Sequence, residues 1–403
     1  MNIFLNHDFL FMYYLNFKLL IKNIVSNKWK KNDKILYLSL ILCYSLISYY
    51  ILKSGYSMSS DSERYSRWAD NLINLNFNFF EFFSIDKASH RPSLFFFSVP
   101  VLLIALCKVI FLSEWQFSFL ILNLIFVFFS LKIFIKCLLL IGVRSILISI
   151  TLPIILISVD ILTWPKFILS DMIYAFLVMY AVYFVIKIIV NNKINYLELF
   201  IIIFLLFASR PSSIPVVLAI LSFIIILKLK IILSKKNILL IILFIIFSTP
   251  LILAMVYSFI ELKFNYIAKV DFLTGMVKKG MIIHDRPETW VVRPNNIIDV
   301  VYVYFLRLLN FFNPYANTFS ILHIVLNMFQ AFIILLSIST WVLLKDYTKS
   351  QNKIYFFIII LSLIVAAFHS FILIDYDWRY RFPILLPLII LFPISMEHIL
   401  RKY

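Results

Sequence analysis

Long apolar runs alternate with short polar connectors along almost the whole chain. A helix crossing about 30 Å of hydrocarbon needs roughly 20 apolar residues. Runs of that kind occupy 35–53, 115–135, 145–162, 168–189, 238–260, 321–344, 354–374 and 382–400. A weaker pair, 196–209 and 214–228, is separated by Arg210-Pro211. Two further runs are interrupted: 93–112 contains Pro100 and Lys108, and 297–312 contains Asp299 and Arg307 and reads as amphipathic. Lipid offers no partner to backbone polar groups, so runs of this length fold as helices. The pattern predicts an all-α, polytopic integral membrane protein.

Basic residues set its orientation, because cytoplasmic connectors are enriched in Lys and Arg. Lys18, Lys22, Lys28, Lys30, Lys31 and Lys34 precede the first span and place that end in the cytoplasm. The connectors holding Lys136 and Arg144, Lys187 and Lys193, Lys228 to Lys236, and Lys345 to Lys353 also read as cytoplasmic. They alternate correctly if 93–112 and 297–312 lie in the outer interface instead of crossing. The expectation is ten spans plus two interfacial helices, with both termini inside. A basic segment, 1–34, precedes one transmembrane domain, 35–403, with outer loops at 54–114 and 261–320. Residues 9–21 are broken by Lys18 and lack a small-residue cleavage site, unlike a secretory signal. No internal repeat is visible.

Composition narrows the function classes. Of 403 residues 63% are apolar and 14% charged, against about 25% charged in ordinary globular domains. Soluble, disordered and disulfide-stapled classes are excluded. The net charge of +17 would suit nucleic acid, but the basic residues sit between membrane spans, so none is expected as a partner. Sorted by predicted side, the excess is almost wholly cytoplasmic, and the outer side is nearly neutral yet crowded with both signs. Cys43, Cys107 and Cys137 lie in apolar runs without metal-ligand spacing. Only 4 glycines occur, and no Gly-rich phosphate loop.

The chemistry-bearing residues fall in the outer segments. Asp61, Tyr65, Ala69 and Leu72 share one face of a predicted helix. Ser60 or Asp61 is suited to cap it, with Glu63 in its first turn. His90-Arg91-Pro92 opens the next apolar run as a basic helix start. Asp160 and Asp171 flank Thr163-Trp164-Pro165-Lys166, and Asp171 beside Ser170 is a second candidate cap. Arg210 sits at a membrane edge and must find a partner. Asp375-Tyr376-Asp377-Trp378-Arg379-Tyr380-Arg381 is denser in arginine and acid than an aromatic belt requires. Lys278-Lys279-Gly280 marks a basic outer loop. Acids beside arginines at one face suit a reaction on a phosphate-linked lipid, with arginine neutralising the phosphate and a carboxylate activating a hydroxyl.

Four of these motifs, in this order, resemble the GT-C superfamily of membrane glycosyltransferases that use polyprenyl-phosphate sugars. The likeness is greatest to the branch of protein O-mannosyltransferases and the lipid A aminoarabinose transferase. Asp61 with Tyr65 and Ala69 is similar to the first-loop acidic motif, and His90-Arg91-Pro92-Ser93-Leu94 to the stretch that follows it. Ser170-Asp171 is similar to the second acidic position, and Arg379-Tyr380-Arg381-Phe382-Pro383 with Pro387 to a stretch near the C-terminus of bacterial members. The resemblance implies a GT-C-like fold in the cell membrane and an outward-facing site. It implies transfer from a lipid-linked sugar donor to a glycan, lipid or protein acceptor. Asp61 would be the general base, Asp171 and Glu63 further catalytic acids, and the transfer would invert the anomeric carbon. Tyr65, His90, Arg91, Lys279 and Tyr380 are further candidates for binding substrate, and on physical grounds Arg210, Arg379 and Arg381 would hold the carrier phosphate. No cofactor is expected, and the resemblance leaves a divalent metal open. Two alternatives stand beside it. A surface-polysaccharide polymerase or ligase would depend on arginines without a first-loop acid. A transporter or flippase would carry charges at mid-membrane and repeat symmetry.

Overall fold

The structure is a computed structural model that describes residues 31–84, 94–228, 297–315, 319–344, 346–371 and 378–402. The described residues form helices and connectors without a strand. In chain order the helices are α1 Lys31–Ser54, α2 Ser60–Asn74, α3 Phe79–Ser84, α4 Ser98–Phe111, α5 Trp115–Ile141, α6 Ser145–Leu156 and α7 Val159–Thr163. There follow α8 Asp171–Asn191, α9 Tyr196–Ser209, α10 Ile214–Lys228, α11 Ile297–Phe312, α12 Ile321–Leu343, α13 Lys349–Phe371 and α14 Phe382–Lys402.

Among the described residues seven helical stretches are long and apolar enough to cross a membrane. An eighth is added if α6 and α7, bent by 66°, form one broken span. The chain is an α-helical multi-pass membrane protein. Pro153 removes one helical hydrogen bond in the second half of α6. The expected span 196–209 is seen as α9, too short a helix to cross the hydrocarbon unaided. The run 93–112 is not separated from 115–135 by a loop. Leu94 to Ile141 is one apolar helical stretch of 48 residues, interrupted where Leu112 takes φ 47°. The expected span 238–260 lies outside the described residues.

Helix α8 is the hub: α5, α9, α10, α13 and α14 all pack on it. Among the described spans α14 is the most enclosed and α12 the most peripheral. Hydroxyls inside the spans donate to the carbonyl four residues back, as Thr151 does to Leu147, Ser337 to Ile333 and Ser362 to Ile358. Apolar α4 lies along polar α2, tied by Lys108 Nζ to the Ser66 carbonyl at 3.0 Å and the Asp70 carboxylate at 2.7 Å. α11 packs on α13 with Tyr304, Arg307, Leu308 and Phe311 buried, while Leu309 and Phe312 are exposed, so the charged residue Arg307 faces the bundle and apolar residues face away from it.

Charged residues gather at two opposite poles of the bundle. At one, the Glu397 carboxylate accepts from the Arg144 backbone N–H at 3.0 Å and from Arg401 Nε at 2.8 Å, and Ser145 donates to Asp33 at 3.0 Å. Lys187 pairs with Glu198 at the same pole. At the other pole lie Asp61, Asp160, Asp171, Arg210, Arg379 and Arg381.

Candidate functional site

Helix α2 begins with a reciprocal cap. Ser59 Oγ accepts from the Ser62 backbone N–H, and Ser62 Oγ accepts from that of Ser59. The cap is therefore Ser59, not Ser60 or Asp61, and the Asp61 carboxylate is left for other partners. Tyr65, Ala69 and Leu72 are buried on the face the sequence assigns to packing. This seats Asp61 at the rim of the bundle. Its Oδ1 accepts from Arg64 Nη2 at 2.6 Å and its Oδ2 from Arg379 Nη1 at 3.0 Å. Burial pushes the Asp61 carboxyl up, but Arg379 and then Arg64 outweigh it and hold it below its ordinary value.

Two more arginine–carboxylate pairs stand beside the first. Arg210, which follows α9, pairs with Asp171, which opens α8, and both are buried. Asp171 thus serves Arg210; Ser170 stands at the cap position of α8 without a side-chain cap bond. Arg381 Nε donates to Asp160 Oδ2 at 3.2 Å, and its Nη1 donates to the Asn313 carbonyl after α11 at 3.0 Å. The other Asp160 oxygen accepts from Trp164 Nε1 at 3.2 Å.

An aromatic wedge joins the pairs. Arg210 and Arg379 both lie over the Tyr380 ring, at 5.3 and 5.6 Å. That ring also stacks on His369, at 4.1 Å with planes 10° apart, and Phe311 of α11 continues the stack at 6.3 Å. Tyr65 is buried against Trp68 and Phe97, at 5.7 and 5.4 Å, within electrostatic reach of Arg210, Asp61 and Asp171. Burial pushes its phenol up, so it is neutral at physiological pH.

The loop between Asp160 and Asp171 is pinned from two sides. Ser57, just before α2, forms a parallel bridge with Phe167: its N–H donates to Lys166 O at 2.9 Å and its carbonyl accepts from Ile168 at 3.2 Å. Buried Asn123 of α5 donates to the carbonyls of Pro165 at 2.9 Å and Phe167 at 3.1 Å. These bonds fix the first-loop acid relative to the other two.

Of the residues singled out in the sequence, Asp61, Tyr65, Asp171, Arg210, Arg379, Tyr380 and Arg381 come together. Glu63 does not. It is exposed, and positions two apart on a helix do not share a face, so it points away from Asp61. His90, Arg91 and Lys279 lie outside the described residues. The sequence marks Asp160 by its outer-side position without showing that it holds Arg381, and it gives no sign of His369 or Asn123. Arg64 carries a usable signal, being three residues after Asp61 on a helix. Among the described residues no group of three or more His, Cys, Asp or Glu side chains is disposed to hold a metal ion.

Fold and site together define an α-helical membrane protein with a ring of ion pairs at one end of its bundle. No family model matches the chain, and neither a curated protein nor a solved structure gives a significant match.

Proposed function

We propose that this protein is a membrane glycosyltransferase that takes a sugar from a lipid-linked phosphate donor. One observation carries the reading: three acids and three arginines from five separate segments converge at one pole of an apolar bundle, though Asp61 and Arg379 lie 318 residues apart. The pole with Arg144, Lys187, Lys193 and Arg401 is the more basic and reads as cytoplasmic, so the ion-pair pole faces outward. α4, laid along the polar α2, and amphipathic α11 are the interfacial helices of this topology.

In this reading the acceptor hydroxyl oxygen bonds to the anomeric carbon and the carbon–oxygen bond to phosphate breaks. The phosphate leaves with the bonding pair, and the hydroxyl proton passes to Asp61. Arg379 bears on the phosphate because a guanidinium fork matches its oxygens in pairs, and the buried Arg210, held by Asp171, adds positive charge behind it. The position of the charges at helix ends favours this reading over a transporter, whose site would lie near mid-membrane. The first-loop acid favours it over an arginine-only polymerase or ligase.

The test uses purified protein in lipid nanodiscs and a panel of polyprenyl-phosphate sugars, with release of polyprenyl phosphate as the readout. Asp61→Asn is expected to insert normally and to lose transfer by at least about a hundredfold, the lower range of general-base contributions. Wild-type turnover in that variant sinks the assignment of Asp61. A ring of ion pairs serving only as a structural clamp predicts no turnover with any member of the panel.

A further inference from the structure

We infer that the Asp61 carboxylate occupies the place of a phosphate on Arg379, and that a lipid-linked phosphate entering the site takes Arg379 away from it. Asp61 is then released to act only when a donor is seated. This rests on the phosphate-donor reading above and adds an order of events to it.

The three pairs differ in a way that selects one of them for exchange. The Arg210–Asp171 side chains are 8% and 1% exposed, and the Arg381–Asp160 side chains 13% and 8%. The Arg379–Asp61 pair is the most open, at 15% and 23%. The first two are closed to a ligand and act as scaffold. The third has a carboxylate that solvent, and so a headgroup, can reach.

Carboxylate and phosphate present similar pairs of oxygens to a guanidinium, so they compete for the same donors. Both Asp61 oxygens are already engaged, one by Arg64 and one by Arg379. In that state the carboxylate is a poor base. Its oxygens are occupied, and the groups facing it from the surrounding elements are mainly cationic. These are Arg64 on its own helix, Arg379 from the turn before α14 and Arg210 from the end of α9, with Tyr65 and Asp171 nearby. Burial works in the opposite direction and favours a proton on Asp61. Removing Arg379 to a phosphate therefore strengthens Asp61 as a base at the moment a leaving phosphate is in position.

The experiment measures binding of farnesyl phosphate, which carries no sugar, to full-length protein in nanodiscs. Asp61→Asn removes the competitor and is expected to bind the probe about tenfold more tightly than wild type, a change of about 1.4 kcal/mol. Asp61→Ser, a second variant with a shorter side chain, is expected to do the same. Arg379→Gln is expected to bind it several-fold more weakly. If Arg379→Gln weakens binding while both Asp61 variants match or fall below wild type, exchange is refuted and the phosphate reading stands. If wild type and Arg379→Gln bind the probe equally, or neither binds it, the phosphate reading fails and the exchange fails with it.

Discussion

Substituting Asn for Asp171 should destabilise the protein far more than disrupting the neighbouring pair at Asp61. Asp171 and Arg210 are buried, whereas the Asp61 and Arg64 side chains are partly open to solvent. Removing one member of a buried pair leaves the other charge uncompensated, at a cost of about 3–5 kcal/mol. Removing one member of an exposed pair costs about 0.2–1 kcal/mol. The expectation is about 3–5 kcal/mol for Asp171→Asn and less than about 1 kcal/mol for Arg64→Gln. The assay is denaturant titration of detergent-solubilised protein, followed by far-UV circular dichroism. A double variant, Asp171→Leu with Arg210→Met, removes both charges and should recover most of the loss, because a buried pair is often replaceable by apolar residues of similar size. An Asp171→Asn protein as stable as Arg64→Gln, or a double variant no better than the single one, would show that Arg210 is not held in a closed site.

Asn123→Leu leaves the Pro165 and Phe167 carbonyls without their side-chain donor and should cost about 1–3 kcal/mol in the same titration, with faster proteolysis near residue 165. His369→Phe preserves a flat ring against Tyr380 and should keep most transfer activity, whereas His369→Ala opens a gap in the stack and should lower it at least about tenfold; equal activity in the two would deny the wedge a positioning role. The native cysteines are buried and can be replaced, after which Lys193→Cys should react with an impermeant maleimide only from the cytoplasmic side and Arg67→Cys only from outside. The reverse pattern would invert the topology. Burial raises the folded-state Asp61 pKa, but Arg379 and Arg64 outweigh it and leave that pKa below the value in the unfolded chain. The stabilisation this gives is complete above about pH 4–5 and is lost as pH falls through the depressed folded value. Stability measured from pH 6 to pH 3 should therefore fall less steeply in Asp61→Asn than in wild type.

Much of the architecture is legible in residue order because lipid imposes a simple rule. Apolar runs must be helices, and their bases mark one side. The packing stripe Tyr65, Ala69 and Leu72 is legible for a related reason: helical periodicity fixes which side chains share a face. The grouping of Asp61, Asp171, Arg210 and Arg379 on one side follows from counting crossings. Which acid meets which arginine does not, since those pairings are set by helix packing across as many as 318 residues. The cap at Ser59 escapes sequence reasoning because Ser59, Ser60 and Asp61 are all good caps, and only the backbone path chooses among them. The direction of Glu63, by contrast, follows from helix geometry and is within reach of the sequence.

The arginines that complete the ring sit just before α14, far along the chain from their partners. Synthesis proceeds from the N-terminus at a limited rate, so Arg379 leaves the ribosome long after Asp61, on the order of tens of seconds later. Throughout that interval Asp61 has Arg64, and Asp160 has Trp164, but neither has the arginine from the far end of the chain. The preceding helices have to enter the membrane and hold their places before the ring can close. A chain halted short of α14 therefore has Asp61 and Asp160 only half paired, while Asp171 already holds Arg210.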